Sequence, residues 1–125
     1  MSDPEQTLRL EENDENGTPL VGRILSEMDL LLRNVTILEK LSTEKPMGIL
    51  KLSEVMKLPN HKVRYSLHLL EREGIIEPSA EGAVPTPRAR EYWDTLDESI
   101  DQLNDSVKKL KRSVIASKKA VQSKK

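Results

Sequence analysis

The chain has 125 residues, of which 36% are apolar, 33% are charged and only 2% are aromatic, so it has room for one modest aliphatic core. It contains no cysteine, which excludes disulfides, thiolate nucleophiles and cysteine-ligated zinc and favours a reducing compartment. The N-terminus has neither a basic start nor an apolar signal region, and no apolar run approaches about 18 residues. We therefore expect a cytoplasmic protein that does not enter the membrane.

The net charge of −1 hides charges that are segregated along the chain. Residues 1–16 carry six acids and one arginine, a net of −5, whereas residues 40–72 carry seven Lys or Arg and three acids, a net of +4. Residues 91–105 hold six acids and no base, and residues 108–125 hold eight bases and no acid. This distribution is typical of a protein with a nucleic-acid surface and a charge-matched partner surface. Any one block alone is equally consistent with an ordinary solvated face.

Ordered structure should begin after an acidic tail. Residues 1–17 have few large apolar side chains, so we expect them to be disordered. A helix should then start with Thr18 as N-cap and Pro19 as first residue, since apolar side chains recur every three or four residues as far as Leu41. The pattern allows either one helix or two that meet near Asn34.

Two shorter helices and a hairpin should follow the break at TEKPMGI. The first of these helices ends before Pro59, and the second runs from about 61 to 73 with Gly74 as its C-terminal stop. Two short extended pieces flank a turn at residues 79–82 and predict a small edge hairpin. A last helix should start at a second Thr-Pro pair and continue over residues 87–121.

The order helix, helix, short turn, helix, hairpin, helix is that of a winged helix-turn-helix domain. Residues 34–93 resemble the winged-helix transcriptional regulators of the broad MarR and ArsR kind in archaea and bacteria, most specifically in LSEVMKLPNHKVRYSLHLLEREGII. The resemblance implies a mainly α fold with a small β-hairpin wing, and a DNA-binding transcriptional regulator. We divide the chain into an acidic tail (1–17), a DNA-binding domain (18–90), a dimerisation helix (87–121) and a disordered basic tail (122–125).

The helix from 61 to 73 is expected to enter the major groove of duplex DNA. Val63, Leu67 and Leu70 share one face and should point to the core, which leaves the basic and polar side chains facing out. An α-helix fits the major groove, where Arg and Lys donate to guanine O6 and N7. The predicted DNA-binding residues on or near this helix are Lys62, Arg64, Tyr65, His68, His61, Lys51, Arg88 and Arg90.

Other kinds of site are not expected. The wing tip carries Glu81 where family members often have a basic residue, which argues against DNA contact by the wing. His61 and His68 are the only histidines and have no third ligand, so we expect no metal and no cofactor. The sequence contains no catalytic triad pattern, paired-acid cleft or phosphate-binding glycine loop, so we do not expect an enzyme.

The last helix carries an unbroken heptad seam, which predicts a coiled-coil homodimer. The predicted dimerisation residues are Trp93, Leu96, Ile100, Leu103, Val107, Leu110 and Val114. A helix over 87–121 would be about 50 Å long, so its far half needs a partner, while part of the seam should pack on the helix over 20–41. β-branched residues at heptad position a favour a parallel pair. The segregated charges favour an antiparallel pair, which we prefer and which certain similar archaeal winged-helix proteins form.

Three alternative functions stay open at this point. A winged helix also serves as a protein-interaction adaptor, and a DNA-binding one also serves as a chromatin-like architectural protein. A ligand-responsive repressor, with an effector that the sequence does not identify, is the third. The net charge of +4 over residues 40–72 favours DNA over the adaptor.

Overall fold

A computed structural model describes residues 18–124, so the expectation of disorder for residues 1–17 concerns a segment outside it. Within the described residues, the elements are α1 (Pro19–Thr43), α2 (Ile49–Met56), α3 (Asn60–Arg72), β1 (Ile76–Ser79), β2 (Gly82–Pro85) and α4 (Arg88–Gln122). The chain is mainly α with a small two-stranded hairpin and a long C-terminal helix, which confirms the expected fold class. It divides into two compact units, one that ends at Ala89 and one that starts at Arg90.

The first long helix, α1, is continuous. Thr18 caps it as expected, because its Oγ1 accepts a hydrogen bond from the Val21 amide at 3.1 Å, and Pro19 occupies the first helical position. Asn34, where the sequence pattern allowed a break, lies buried within α1. The apolar periodicity therefore belongs to one helix of 25 residues.

An aliphatic core joins the C-terminal half of α1 to the two shorter helices and the hairpin. The largest fully buried apolar side chains are Ile37, Leu38, Leu52, Leu70, Ile76 and Val63. Complete burial of such a side chain is worth about 1.5–3 kcal/mol. Because α3 contributes to this core, its inner face is fixed and its outer face is presented to solvent.

The end of α3 is set by Gly74, as the sequence predicts. Its φ of +76° lies in the left-handed region that glycine occupies without strain. The Gly74 amide donates to the Glu71 carbonyl at 2.9 Å, and the Ile75 amide donates to the Leu70 carbonyl at 2.9 Å. These two bonds form a Schellman motif, which satisfies carbonyls at the helix end and turns the chain into β1.

The hairpin β1–β2, here called the wing, is closed by a two-residue turn, since Ser79 pairs with Gly82. The Ala83 amide also donates to the Met47 carbonyl at 3.0 Å, which attaches the wing to the segment before α2. Gly82 has a φ of +129°, and a Cβ there would lie 2.5 Å from the Met47 carbonyl carbon. The sequence did not predict this attachment, because a single bridging residue has no periodicity.

The start of α4 is tied to the end of α3 through Thr86. The Thr86 hydroxyl donates to the Gly74 carbonyl and accepts from the Arg88 amide at 3.2 Å, and the Thr86 amide donates to the Ile75 carbonyl at 2.9 Å. The helix α4 ends at Gln122, one residue beyond the expected end, and the Ser123 amide still bonds the Lys119 carbonyl. No helix among residues 18–124 is both long and apolar enough to span a bilayer.

Candidate nucleic-acid interface

The outward face of α3 is exposed while its inward face is closed. Val63 and Leu70 are buried in the core, as predicted. Arg64 and His68 are exposed and Tyr65 is 53% exposed, whereas Lys62 is half-buried. The predicted DNA-binding residues that lie on α3 are His61, Lys62, Arg64, Tyr65 and His68. A single helix therefore presents five of the predicted DNA-binding residues.

The inward face of α3 centres on Ser66 rather than on Leu67. Ser66 is completely buried, whereas Leu67, expected to point to the core, is only half-buried. The Arg33 Nε on α1 donates to the Ser66 Oγ at 2.8 Å, so the buried hydroxyl has a hydrogen-bond partner and α3 is bonded to α1. Apolar periodicity passes over Ser66 because serine is polar. Its spacing of three from Val63 and four from Leu70 is the signal that places it inward.

An open groove of about 640 Å³ lies between α1 and the first turns of α3. His61, Lys62 and Tyr65 line it from α3, and Arg23 and Arg33 line it from α1. The structure thus joins three of the predicted DNA-binding residues to two arginines that the sequence analysis did not include. These arginines lie about 30–40 residues before α3 in the chain, so only the packing of α1 against α3 reveals them.

The remaining predicted residues are distributed around α3. Lys51 is exposed on α2, but its Nζ lies 3.5 Å from the Glu54 Oε1, which offsets its charge. Arg88 is exposed, and its Nη1 would lie 2.8 Å from a Cβ added at Gly74, which places the guanidinium beside the end of α3. Arg90 is exposed on α4 and belongs to the second unit.

Three cations of α3 and the groove lie outside the ion pairs described for residues 18–124. The ion pairs described within residues 18–124 are Lys40–Glu44, with Nζ 3.6 Å from Oε2, and Lys51–Glu54, with Nζ 3.5 Å from Oε1. Neither includes Arg23, Lys62 or Arg64. Positive charge without an internal partner is available to an external anion, whose binding displaces counterions rather than an existing ion pair.

The wing has the opposite charge. Glu77 and Glu81 are exposed on it, and the hairpin carries no Lys or Arg. Its tip is ordered locally by Ser79, whose hydroxyl donates to the Gly82 carbonyl and accepts from the Glu81 amide at 3.3 Å. The exposed charge of the wing is therefore negative, and whether the wing contacts DNA stays a prediction.

The seam of α4 is exposed along most of its length. Trp93 and Leu96 are half-buried, and the following seam residues are between 40% and 63% exposed in the single chain: Ile100, Leu103, Val107, Leu110 and Val114. In the single chain these side chains form an exposed apolar stripe along α4.

No three His, Cys, Asp or Glu side chains among residues 18–124 converge as metal ligands would. A second, more apolar cavity of about 270 Å³ lies between α1 and α2, with Leu32, Val55, Met56 and Leu58 in its walls. It adjoins the turn before α3.

Comparison with known proteins identifies no family for the chain. No family model matches the sequence, and no curated protein matches it. Among solved structures, the chain is similar to the activation domain of the phage T4 transcription factor MotA, with 18% identity and a TM-score of 0.46 over 83% of this chain and 96% of that chain. A likeness at this level identifies neither a family nor a function for the chain.

Proposed function

We propose that the protein is a transcription regulator that binds duplex DNA by inserting α3 into the major groove. The observation that supports this is the outward face of α3. Lys62, Arg64 and Tyr65 lie on this face, while the inner face of the same helix is buried in the core. A helix exposed in this way has the diameter that the major groove accepts. Its cations have no internal partners among the described ion pairs and so favour a polyanion.

The side chains on this face have different roles in the proposal. Arg64 is fully on the outer side and has the fork of donors that matches guanine O6 and N7. Lys62 is half-buried at the groove, where its flexible ammonium reaches a phosphate. Tyr65 lies between them and offers a hydroxyl and a ring edge to a base or sugar. His61 and His68 lie about one helical turn before and after Arg64 and Tyr65 on α3, and in the proposal they contact the sugar-phosphate backbone of the DNA.

A fluorescence anisotropy titration with labelled genomic duplexes at several salt concentrations tests the proposal. Arg64→Ala should cost about 1–3 kcal/mol on a preferred site and relax the preference at one position. Lys62→Ala should weaken all sequences alike and lower the salt slope by about one unit. The core residues are untouched, so circular dichroism and melting temperature should not change.

The matched control removes two cations from outward heptad positions of α4, Lys108→Ala with Arg112→Ala, and should weaken binding much less than Lys62→Ala with Arg64→Ala. A folded Lys62/Arg64 double variant that binds as tightly as the wild type would contradict the proposal and favour the adaptor. Equal affinity of the wild type for every duplex would instead indicate an architectural protein.

We further propose that the protein acts as a homodimer held by an antiparallel pair of α4 helices. The exposed seam supports pairing, since burying it removes about 25 cal/mol of unfavourable hydration per Å² of apolar surface. An antiparallel register that pairs Ile100 with Leu110 and Leu103 with Val107 also sets the acidic residues 91–105 against the basic residues 108–119. In a parallel pair, each charged block would lie beside its own copy and repel it.

The orientation is testable through two residues at heptad position e, Asp97 and Lys111. In the antiparallel register Asp97 of one chain lies beside Lys111 of the second chain. In a parallel pair the two positions are about 21 Å apart along the helix axis. Asp97→Lys and Lys111→Asp should each weaken dimerisation in analytical ultracentrifugation, and the double swap should restore it. Two weakened single variants whose combination is weaker still would contradict the antiparallel arrangement.

A further inference from the structure

The groove between α1 and α3 has the composition of a binding site for an extended anion. Arg23, Arg33 and Lys62 are the basic side chains that line it, and Glu27 is the carboxylate among the lining residues. Arg23 is exposed and forms none of the ion pairs described within residues 18–124. Every lining residue except Leu30 carries a polar or charged group, and the groove is open, whereas small-molecule pockets enclose most of their ligand.

The cations follow one face of α1. Arg23, Glu27 and Leu30 lie at helical spacing and lead to Arg33, so the face spans three turns, or about 15 Å. One strand of B-DNA carries a phosphate for about every 3.4 Å of helix axis, so several consecutive phosphates fit along this length. A single small anion would engage only one end of the groove.

The groove is continuous with the face of α3 that is proposed to read the major groove. Lys62 and Tyr65 belong to both, since they line the groove and also project from the outer side of α3. The Arg33–Ser66 hydrogen bond of 2.8 Å holds α1 against α3 at the end of the groove. A duplex seated on α3 therefore brings one of its backbone strands over α1.

We propose that this groove holds a phosphodiester strand of the same duplex, with Arg23 contacting a phosphate directly and Arg33 positioning α3 through Ser66. The inference rests on the proposed function, because it assigns the path of the DNA that α3 binds. It adds an N-terminal helix to the interface and gives α1 a role in affinity but not in the choice of sequence, since phosphates carry no sequence information.

The test is the salt dependence of DNA binding by the full chain carrying Arg23→Gln. The loss of one phosphate contact should lower the slope of log Kd against log salt by about one unit and weaken binding roughly five- to tenfold near 0.1 M salt on every duplex. Lys40→Gln is the matched control, since it removes one charge from the same helix about 25 Å away along its axis. Its slope should equal that of the wild type.

Removal of the carboxylate in the same groove gives the opposite sign. Glu27→Gln should tighten binding severalfold on every duplex, because the phosphate strand no longer meets a like charge. If the wild type binds DNA and Arg23→Gln behaves as Lys40→Gln does, the inference is wrong while the proposed function stands. If the wild type binds no duplex at low salt, both are wrong.

Discussion

The hydrogen bond between Arg33 and Ser66 should contribute measurably to stability, and Ser66→Ala tests this. The bond is 2.8 Å long, its donor is charged and its acceptor is completely buried. Hydrogen bonds to charged groups are worth about 1.5–3 kcal/mol. Alanine offsets part of this loss, because it favours a helix interior by about 0.5 kcal/mol over serine. The net loss should be about 1–2.5 kcal/mol, or a fall in melting temperature of roughly 5–12 °C for a domain of this size.

A matched control lies in α2, where the Ser53 hydroxyl is buried and has no hydrogen-bond partner among the described residues. Ser53→Ala removes a buried hydroxyl without removing a bond, so it should leave the protein equally stable or more stable. Chemical denaturation of both variants, and of Arg33→Gln alone and combined with Ser66→Ala, gives the coupling energy. A coupling of about 1 kcal/mol or more is expected. Independent, additive effects of the two changes would refute the role assigned to this bond.

Three other predictions concern the dimer, the wing and the N-terminal segment. Leu103→Asp should convert the dimer to monomer in light scattering, because it places a charge in the apolar seam. Gln102→Asp, an equal charge change next to the seam, should leave the dimer intact. A wild-type protein that is monomeric at tens of micromolar would contradict dimerisation. Gly82→Ala should cost about 1–3 kcal/mol in thermal unfolding, because of its left-handed φ and the nearby backbone, whereas Gly48→Ala, with open space around it, should be tolerated. Deletion of residues 1–16, which carry a net charge of −5, should tighten DNA binding most at low salt. Unchanged affinity there would show that the segment does not compete with DNA.

The parts of the fold that depend on local chemistry could be predicted from sequence. The Thr18 cap and the Gly74 stop each act within a few residues of the chain, and both were found where the pattern placed them. The order of elements followed from these signals together with the apolar spacing. Only the continuity of α1 through Asn34 was left open, since a buried asparagine looks like a break in an apolar pattern.

The parts of the site that depend on packing between elements could not be predicted. Arg23 and Arg33 join the groove only because α1 crosses α3, and nothing near them in the sequence indicates a partner in α3. The attachment of the wing through Met47 likewise depends on a single long-range bond. Ser66 shows the limit of apolar periodicity, because a small polar residue with a buried partner occupies a core position.

The acidic wing has a consequence for the footprint of the protein on DNA. With carboxylates at Glu77 and Glu81, the wing should stand away from the backbone instead of covering the adjoining minor groove. In a hydroxyl-radical cleavage experiment, each half-site should then show protection on the side of the α1 groove and open, fully cleaved sugars on the side of the wing. The length of the protected segment would be short for a winged domain. The space left beside the wing would be accessible to a second protein on the same duplex.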